Sequence, residues 1–464
     1  FTTQVEINDF LTANGTTAFK HLMAFYDALP ILLAHRVTIN LAAGVHRPQT
    51  TVTTVAWNMI TRQSVGGGGI TIAGPLAAAY TLVVAAQTIT AHQVGSFNPY
   101  LDFAGTPFLG IDVRGYYAVL SNGQQLLIHD QTDSRLYVTN GLSPTPVNGV
   151  TTCEVKRPSA VLRNSLDDTT TKATAGGLIV NVNNIATTNP RPFVIQDVSI
   201  EPYGLSSQGV SLLTTAAVLT RVLIDHETPR VTFGVTGNGN VFVVTRCPAV
   251  SLTDCCFRSE RNGAGPDGSC GVGSGSTVGL SRCYIQGGDE TCASVAGSGA
   301  TLNLNNSVFA SGGGDSPSLV RIADDGVLGG QDFTTAVRST FRDSPGGRSA
   351  IFVANRGRLN LGNSGLPWNP QFQNITGPCI RISGDVQFDM TVETPTNGGW
   401  INGGGNTDVG VQIDGPGARI KFSTPTNVTG TLGDVRMGGT ILSYATILAS
   451  GPIADDNFNS VDKV

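Results

Sequence analysis

Two octapeptides, GSGSTVGL at 273–280 and GSGATLNL at 297–304, share one skeleton: Gly-x-Gly, two residues, then two apolar residues with one between them. Nothing constrains the fold of this chain more than that repeat. A glycine followed two or three residues later by apolar-x-apolar occurs at Gly239 (Val241, Val243), Gly275 (Val278, Leu280) and Gly299 (Leu302, Leu304). It recurs at Gly357 (Leu359, Leu361), Gly384 (Val386, Phe388) and Gly417 (Ile420, Phe422), with a weaker copy at Gly326 and Leu328. Successive spacings are 36, 24, 27, 31, 27 and 33 residues. Most of these units are too short for a four-stranded propeller blade, which needs roughly 40 residues. A phosphate-binding loop is excluded as well, because both octapeptides run straight into strand-like sequence and no helical pattern follows.

Each unit carries two further strand signals. SLTDCCF, LSRCYI, LNNSVF and AVRSTF end in Phe257, Ile285, Phe309 and Phe341; two residues before each lies Cys255, Cys283, Ser307 or Ser339, and five before lies Leu252, Leu280, Leu304 or Ala336. Strand side chains alternate, so this spacing predicts two inward columns, one of Phe/Ile and one of Cys/Ser. A third strand precedes the glycine turn in SLVRI (318–322), AIFVA (350–354), CIRIS (379–383) and VGVQI (409–413). Three short strands per unit, with loops that lengthen at one corner without disturbing the stack, predict a parallel β-helix. Gly273 and Gly275 are expected to stack on Gly297 and Gly299, where glycine accepts positive φ without strain.

Composition supports strands over helices. Of 464 residues 58 are Gly and only 13% are charged, and Thr, Val, Ile and Asn outweigh the residues that surface helices favour. One helix is expected, over 15–34, with Thr16 or Thr17 as its cap, Phe19, Leu22, Met23 and Tyr26 on one face and Pro30 at its end. With the strand RVTINLAAGVHRP behind it, this helix would cap the first rung. The expected organisation is an N-terminal cap and first coils (1–75), a β-rich insertion (76–177), the β-helix (178–425) and a C-terminal β element or tail (426–464). Net charge is −5 with no Lys/Arg block, which argues against nucleic acid. No apolar run approaches about 18 residues, which argues against membrane insertion. The chain opens on Phe1 without a signal peptide, as expected of a segment of a longer product or a processed chain. Eight cysteines without a CxxC pair give no structural zinc motif; they read as buried thiols, reduced even if Cys255 and Cys283 stack within bridging distance.

The helix, the LAAGVH strand and the three-stranded coils resemble the pectate-lyase-like right-handed parallel β-helix of phage tailspikes and related virion proteins, over roughly 15–60 and 178–425. The resemblance implies an all-β solenoid with a short capping helix, assembled as a homotrimer on a virion with other virion proteins and in contact with cell-surface polysaccharide; a secreted, extracellular protein is the alternative location. The expected function is a structural virion protein of a tail, baseplate or head decoration. The alternative is a polysaccharide-degrading tailspike or secreted lyase or hydrolase. Glycoside hydrolysis needs two carboxylates flanking the bond and elimination needs a base, usually with acidic calcium ligands. The residues that could serve are Asp324 and Asp325 in an Asp-Gly turn, and Arg356; Asp289-Glu290 and His226-Glu227 are further candidates, and Arg321, Arg356 and Arg381 suggest an outward basic stripe or surface ion pairs with Asp324, Asp325 or Asp385. No residue matches the acidic ligand cluster of pectate lyases, so no catalytic role, cofactor or metal is carried over.

Overall fold

The structure, a computed structural model, describes residues 26–27, 29–33, 35–46, 55–60, 63–64, 69–93, 99–139, 143–163, 178–183, 191–201, 208–225, 241–258, 269–287, 291–311, 318–330, 339–344, 346–360, 362–363, 366–367, 371–383, 390–393, 400–403, 410–414, 418–421, 427–430, 435–437 and 440–442. Two compact units are present: Phe1–Ser259 with Arg282–Tyr284, and Glu260–Ser281 with Ile285–Val464. Both are built from coils whose strands belong to three parallel sheets, and the chain visits sheets 1, 2 and 3 in turn.

In the first unit, sheet 1 contains Arg36–Asn40, Gly69–Ala73, Phe193–Gln196, Ala217–Thr220 and Val250–Thr253. Sheet 2 contains Gly44–His46, Ala160–Arg163, Val198–Glu201, Leu223–Asp225 and Cys256–Arg258. Sheet 3 contains Val55–Ile60, Leu178–Asn183, Gln208–Leu213 and Phe242–Thr245. In the second unit, the paired octapeptides align in sheet 1 as Val278↔Leu302 and Leu280↔Leu304. All four side chains are buried. Phe309, Phe341 and Phe372 of sheet 2 form an inward column with ring centroids 5.2 and 5.5 Å apart and nearly parallel planes. This is the parallel β-helix, and it follows from the chain burying one face of every strand while pairing each backbone with the next coil.

The strand expected in SLTDCCF and its counterparts is in fact two. Val250–Thr253 lies in sheet 1, Cys256–Arg258 lies in sheet 2, and Asp254 between them turns the chain at φ 52°. Arg282 (φ 55°) and Asn306 (φ 48°) do the same. The Cys/Ser column sits immediately after this bend, and Cys255, Cys283, Ser307 and Ser339 are all fully buried. The small side chain after the bend bonds the carbonyl two residues back: Cys255 Sγ donates to Thr253 O (3.4 Å), which also accepts the Arg221 N–H (2.9 Å), and Ser307 Oγ donates to Asn305 O (3.0 Å).

The glycine corner also differs in detail from its expectation. Gly275 (φ 67°), Gly297 (φ 102°) and Gly299 (φ 74°) take positive φ, but Gly273 does not. Gly299 stacks on Gly275, where a Cβ would lie 3.4 Å from the Gly275 Cα. At Gly326 and Gly357 the positive φ has moved to the two residues before: Asp324 and Asp325 (51°, 67°), Asn355 and Arg356 (44°, 64°). Glycine there answers a different need, close approach; a Cβ on Gly357 would lie 2.7 Å from Ile322 O.

The β-rich insertion is a closed antiparallel barrel of six strands within 81–157. It is therefore shorter than the 76–177 expected from sequence, and the coil resumes at Ala160–Arg163, which pairs in parallel with Gly44–His46 and Val198–Glu201. The barrel leaves the β-helix between a sheet 1 strand (Gly69–Ala73) and the following sheet 2 strand. Thr81–Gln93 is long enough to pair with Thr152–Arg157 along one half and Tyr100–Phe103 along the other, and an apolar core including Leu101, Phe103, Phe108, Ile128 and Leu136 fills it. Of the expected N-terminal helix, Tyr26 and Asp27 are described and helical, residues 29–31 are described and lie outside any helix, Leu32–Leu33 is already a strand, and the rest lies outside the described residues. Of the C-terminal element, Val435–Met437 extends sheet 3 in parallel and Thr440–Leu442 pairs back on it antiparallel. Among the described residues no helix is long and apolar enough to cross a membrane.

Candidate functional site

Four places concentrate polar chemistry. The first is the corner between sheets 1 and 2 in the first unit, where Asp197, Arg221, Asp254 and Arg282 occupy successive left-handed bends. They pair in twos, both bidentate. Arg221 Nε and Nη2 donate to Asp197 at 2.6 and 2.9 Å, and Arg282 Nε and Nη2 donate to Asp254 at 2.8 and 2.9 Å. Asp197 also accepts from Tyr80 Oη at 2.5 Å. Asp accepts the left-handed region readily and Arg does not, so the fork-to-fork pair holds each arginine in a backbone conformation it would otherwise avoid.

The second is the outward face of sheet 2 where the barrel covers it. Arg258 is fully buried there; its Nη1 donates to Arg114 O (2.6 Å) and its Nη2 to Asp112 (3.1 Å), while Arg114 grips the same carboxylate at 2.8–2.9 Å. Burial would raise the Asp112 carboxyl, but the two guanidinium groups outweigh it and hold the pKa below 3.8. Tyr117, also fully buried, donates to Asp254 O at 2.8 Å, and burial pushes its phenol well up. Two coils away Glu201 is buried and accepts from Arg163 Nε at 2.9 Å and Arg157 Nη1 at 3.5 Å.

The third is the sheet 3–sheet 1 corner of the second unit, and it brings the sequence-predicted Asp325 and Arg356 together at 2.8 Å, one coil apart. Asp324 is exposed, and its backbone N–H donates to Asn355 O. Asp289-Glu290, His226-Glu227 and Asp385 lie outside the described residues. The fourth is the outward face of sheet 3 in the same unit. Ser294, Arg321, Phe352, Arg381 and Gln412 occupy one register line across five coils. Arg381 lies over the Phe352 ring, 5.6 Å from its centroid, and its Nε bonds Asp414 at 2.6 Å. Of the basic stripe read from sequence, Arg321 and Arg381 stand on this line, and Arg356 stands at the corner instead.

Chemically, most of the carboxylates placed here are committed to a guanidinium, which fixes their position. All eight cysteines are buried thiols; burial pushes Cys153 and Cys292 up to about 12, far from the range of a nucleophilic or metal-binding thiolate. Among the described residues no group of three His, Cys, Asp or Glu is placed to hold a metal. Sequence reasoning missed the paired corner, although a signal was present: QDVSI, TRVLI, TDCCF and SRCYI alternate Asp and Arg at one position of the unit. It missed the Arg258 seam for a better reason, since no pattern announces that a barrel 144 residues earlier in the chain will cover this strand.

No protein-family model matches the sequence, and no curated protein matches it. Among solved structures the chain is similar to a tailspike protein from Pseudomonas phage LKA1 (12% identity, TM-score 0.24, 95% of this chain and 77% of that one). It is similar to a tailspike of Acinetobacter baumannii bacteriophage AP22, determined in complex with A. baumannii capsular saccharide (9%, 0.23, 91% and 84%). A third likeness is to a hyperthermoactive exopolygalacturonase from Thermotoga maritima (9%, 0.26, 95% and 93%). At these identities and TM-scores the likenesses say nothing of activity, and the parallel β-helix stands on the strand pairing itself.

Proposed function

We propose that this chain is a structural virion protein of a bacteriophage, part of a tail, baseplate or head decoration, that contacts host surface glycan. The observation that carries this reading is the use of carboxylates as pins. Asp197, Asp254, Glu201, Asp112 and Asp325 each hold an arginine, most of them across a coil boundary or across the barrel seam. A glycoside hydrolase needs one carboxyl kept protonated and a second aimed at the same bond; carboxylates gripped by arginine are suited to neither proton delivery nor attack. They suit a scaffold that keeps long outward faces in register. The homotrimer and the virion location belong to the same reading and rest on the resemblance to tailspikes.

The test is to incubate the purified protein with host surface polysaccharide and follow binding by calorimetry alongside the appearance of reducing ends or unsaturated sugars. Binding without cleavage is the expected result. Release of fragments would replace the scaffold reading with a polysaccharide-degrading one. Light scattering on the same sample is expected to give a trimer mass, and a monomer mass counts against the assembly.

A further inference from the structure

We infer that the outward face of sheet 3 in the second unit is a binding site for an acidic polysaccharide, with Arg321 receiving a carboxylate and Phe352 carrying a sugar ring. The inference rests on the glycan-contacting reading above and gives it a location and a ligand charge. Three observations converge on it. First, Arg321 is half-buried, yet no carboxylate lies against its guanidinium among the described residues. Other arginines around it are either paired, as Arg381 and Arg356 are, or exposed, as Arg358 is. A guanidinium partly withdrawn from water gains most from a carboxylate that presents both oxygens to its fork.

Second, the next position along the register line is Phe352, an outward aromatic that is also half-buried. A flat apolar ring beside polar donors is the combination that holds a sugar, whose ring faces are apolar and whose edges are polar.

Third, the spacing suits an extended polymer. Adjacent coils are about 4.8 Å apart, so Arg321 and Arg381 are separated by about 10 Å with Phe352 midway. Arg381 commits its Nε to Asp414, and the guanidinium has five donors in all, so others remain for a ligand. Such a line matches a chain with its acid group on alternate sugars. Asp325 and Asp414 are each paired with an arginine of their own.

The test uses the full chain with three probes: hyaluronate, which has a carboxylate on alternate sugars; dextran, which is neutral; and polyglutamate, which is acidic without sugars. Affinity is measured by calorimetry for wild type, Arg321→Gln, Phe352→Ser and, as an equal change of charge elsewhere, Arg358→Gln, with thermal melting to show that each variant is folded. Hyaluronate is expected to bind and to be released by about 0.5 M salt. Arg321→Gln and Phe352→Ser are each expected to weaken it by about tenfold or more, and Arg358→Gln by less than about twofold. Equal losses from Arg321→Gln and Arg358→Gln, or no loss from either, overturn the site. Polyglutamate binding with the same dependence on Arg321 and Phe352 overturns the sugar assignment. Binding of dextran or host polysaccharide that ignores both variants overturns this site and leaves the glycan-contacting reading standing. Failure of every polysaccharide overturns both.

Discussion

At the scale of single residues, the chain solves one problem repeatedly: how to turn a sharp corner between two strands without glycine. Asp254 and Arg282 show the cost and its remedy. Arg282 at φ 55° is in a region that non-glycine residues avoid, and its bidentate pair with Asp254 offsets the strain. Arg282→Ala keeps the strain and loses the pair, so it is expected to destabilise by about 1–2 kcal/mol in guanidinium unfolding. Arg282→Gly loses the pair and the strain together, and its midpoint is expected to be higher than that of the alanine variant by about 1 kcal/mol of stability. Equal midpoints would mean that the corner is not strained. The thiols give a second residue-scale expectation. All eight are buried, and Cys153 and Cys292, pushed up to about 12, are thiolate at pH 8 in only about one molecule in ten thousand. A thiol reagent should therefore titrate almost none in the native protein and eight in denaturant; fast native labelling of even one would contradict the burial.

At the scale of elements, the repeat was legible because it is local. The octapeptides at 273–280 and 297–304 aligned as expected, and so did Phe309 with Phe341, because apolar alternation and turn glycine are properties of short stretches. The bend at Asp254 was not legible in the same way. Its signal is a break in the alternation: Leu252 and Cys255, three residues apart, are both buried, a phase shift that one straight strand does not allow and that a single seven-residue stretch shows only once. At Gly326 and Gly357 the preceding residues take the positive torsion, and glycine is needed for space. Gly357→Ala, which places a Cβ 2.7 Å from Ile322 O, is thus expected to cost about 1–3 kcal/mol. Circular dichroism melts of this variant beside Gly346→Ala, whose Cβ has only the Arg348 side chain near it, separate crowding from torsion, since φ is positive only at Gly346.

At the scale of the whole molecule, the barrel is tied to the coils by titratable groups, which makes its docking dependent on pH. The folded pKa of Asp112 lies below 3.8 because Arg114 and Arg258 overcome its burial. Its contribution is present above the unfolded value and lost as pH falls through the folded one. Hydrogen exchange at Cys256–Arg258 should accelerate below pH of about 4, and Asp112→Asn should show that acceleration at neutral pH. If exchange there is unchanged in the variant, the ion pair does not hold the seam. His46, in the first sheet 2 strand, acts at milder pH. Burial lowers its pKa below 6.5 against the opposing hydrogen bond to Ala42 O. The unfolded chain therefore takes up the proton first, and stability present above pH 6.5 is lost as pH falls toward the folded value. Unfolding midpoints should decline over that range in wild type and decline less in His46→Gln.

The sequence alone determined that this chain is all-β, that it coils in units of three short strands, and which apolar side chains face inward. Each of these depends on neighbours within about thirty residues and on a two-residue period that survives any change of loop. Tertiary structure alone decided what happens to the outward side chains. Arg258 is buried because the barrel covers it, and Asp325 is held because the next coil brings Arg356 to it. An outward residue meets whatever part of the chain folds over it, and sequence spacing carries no record of that distance.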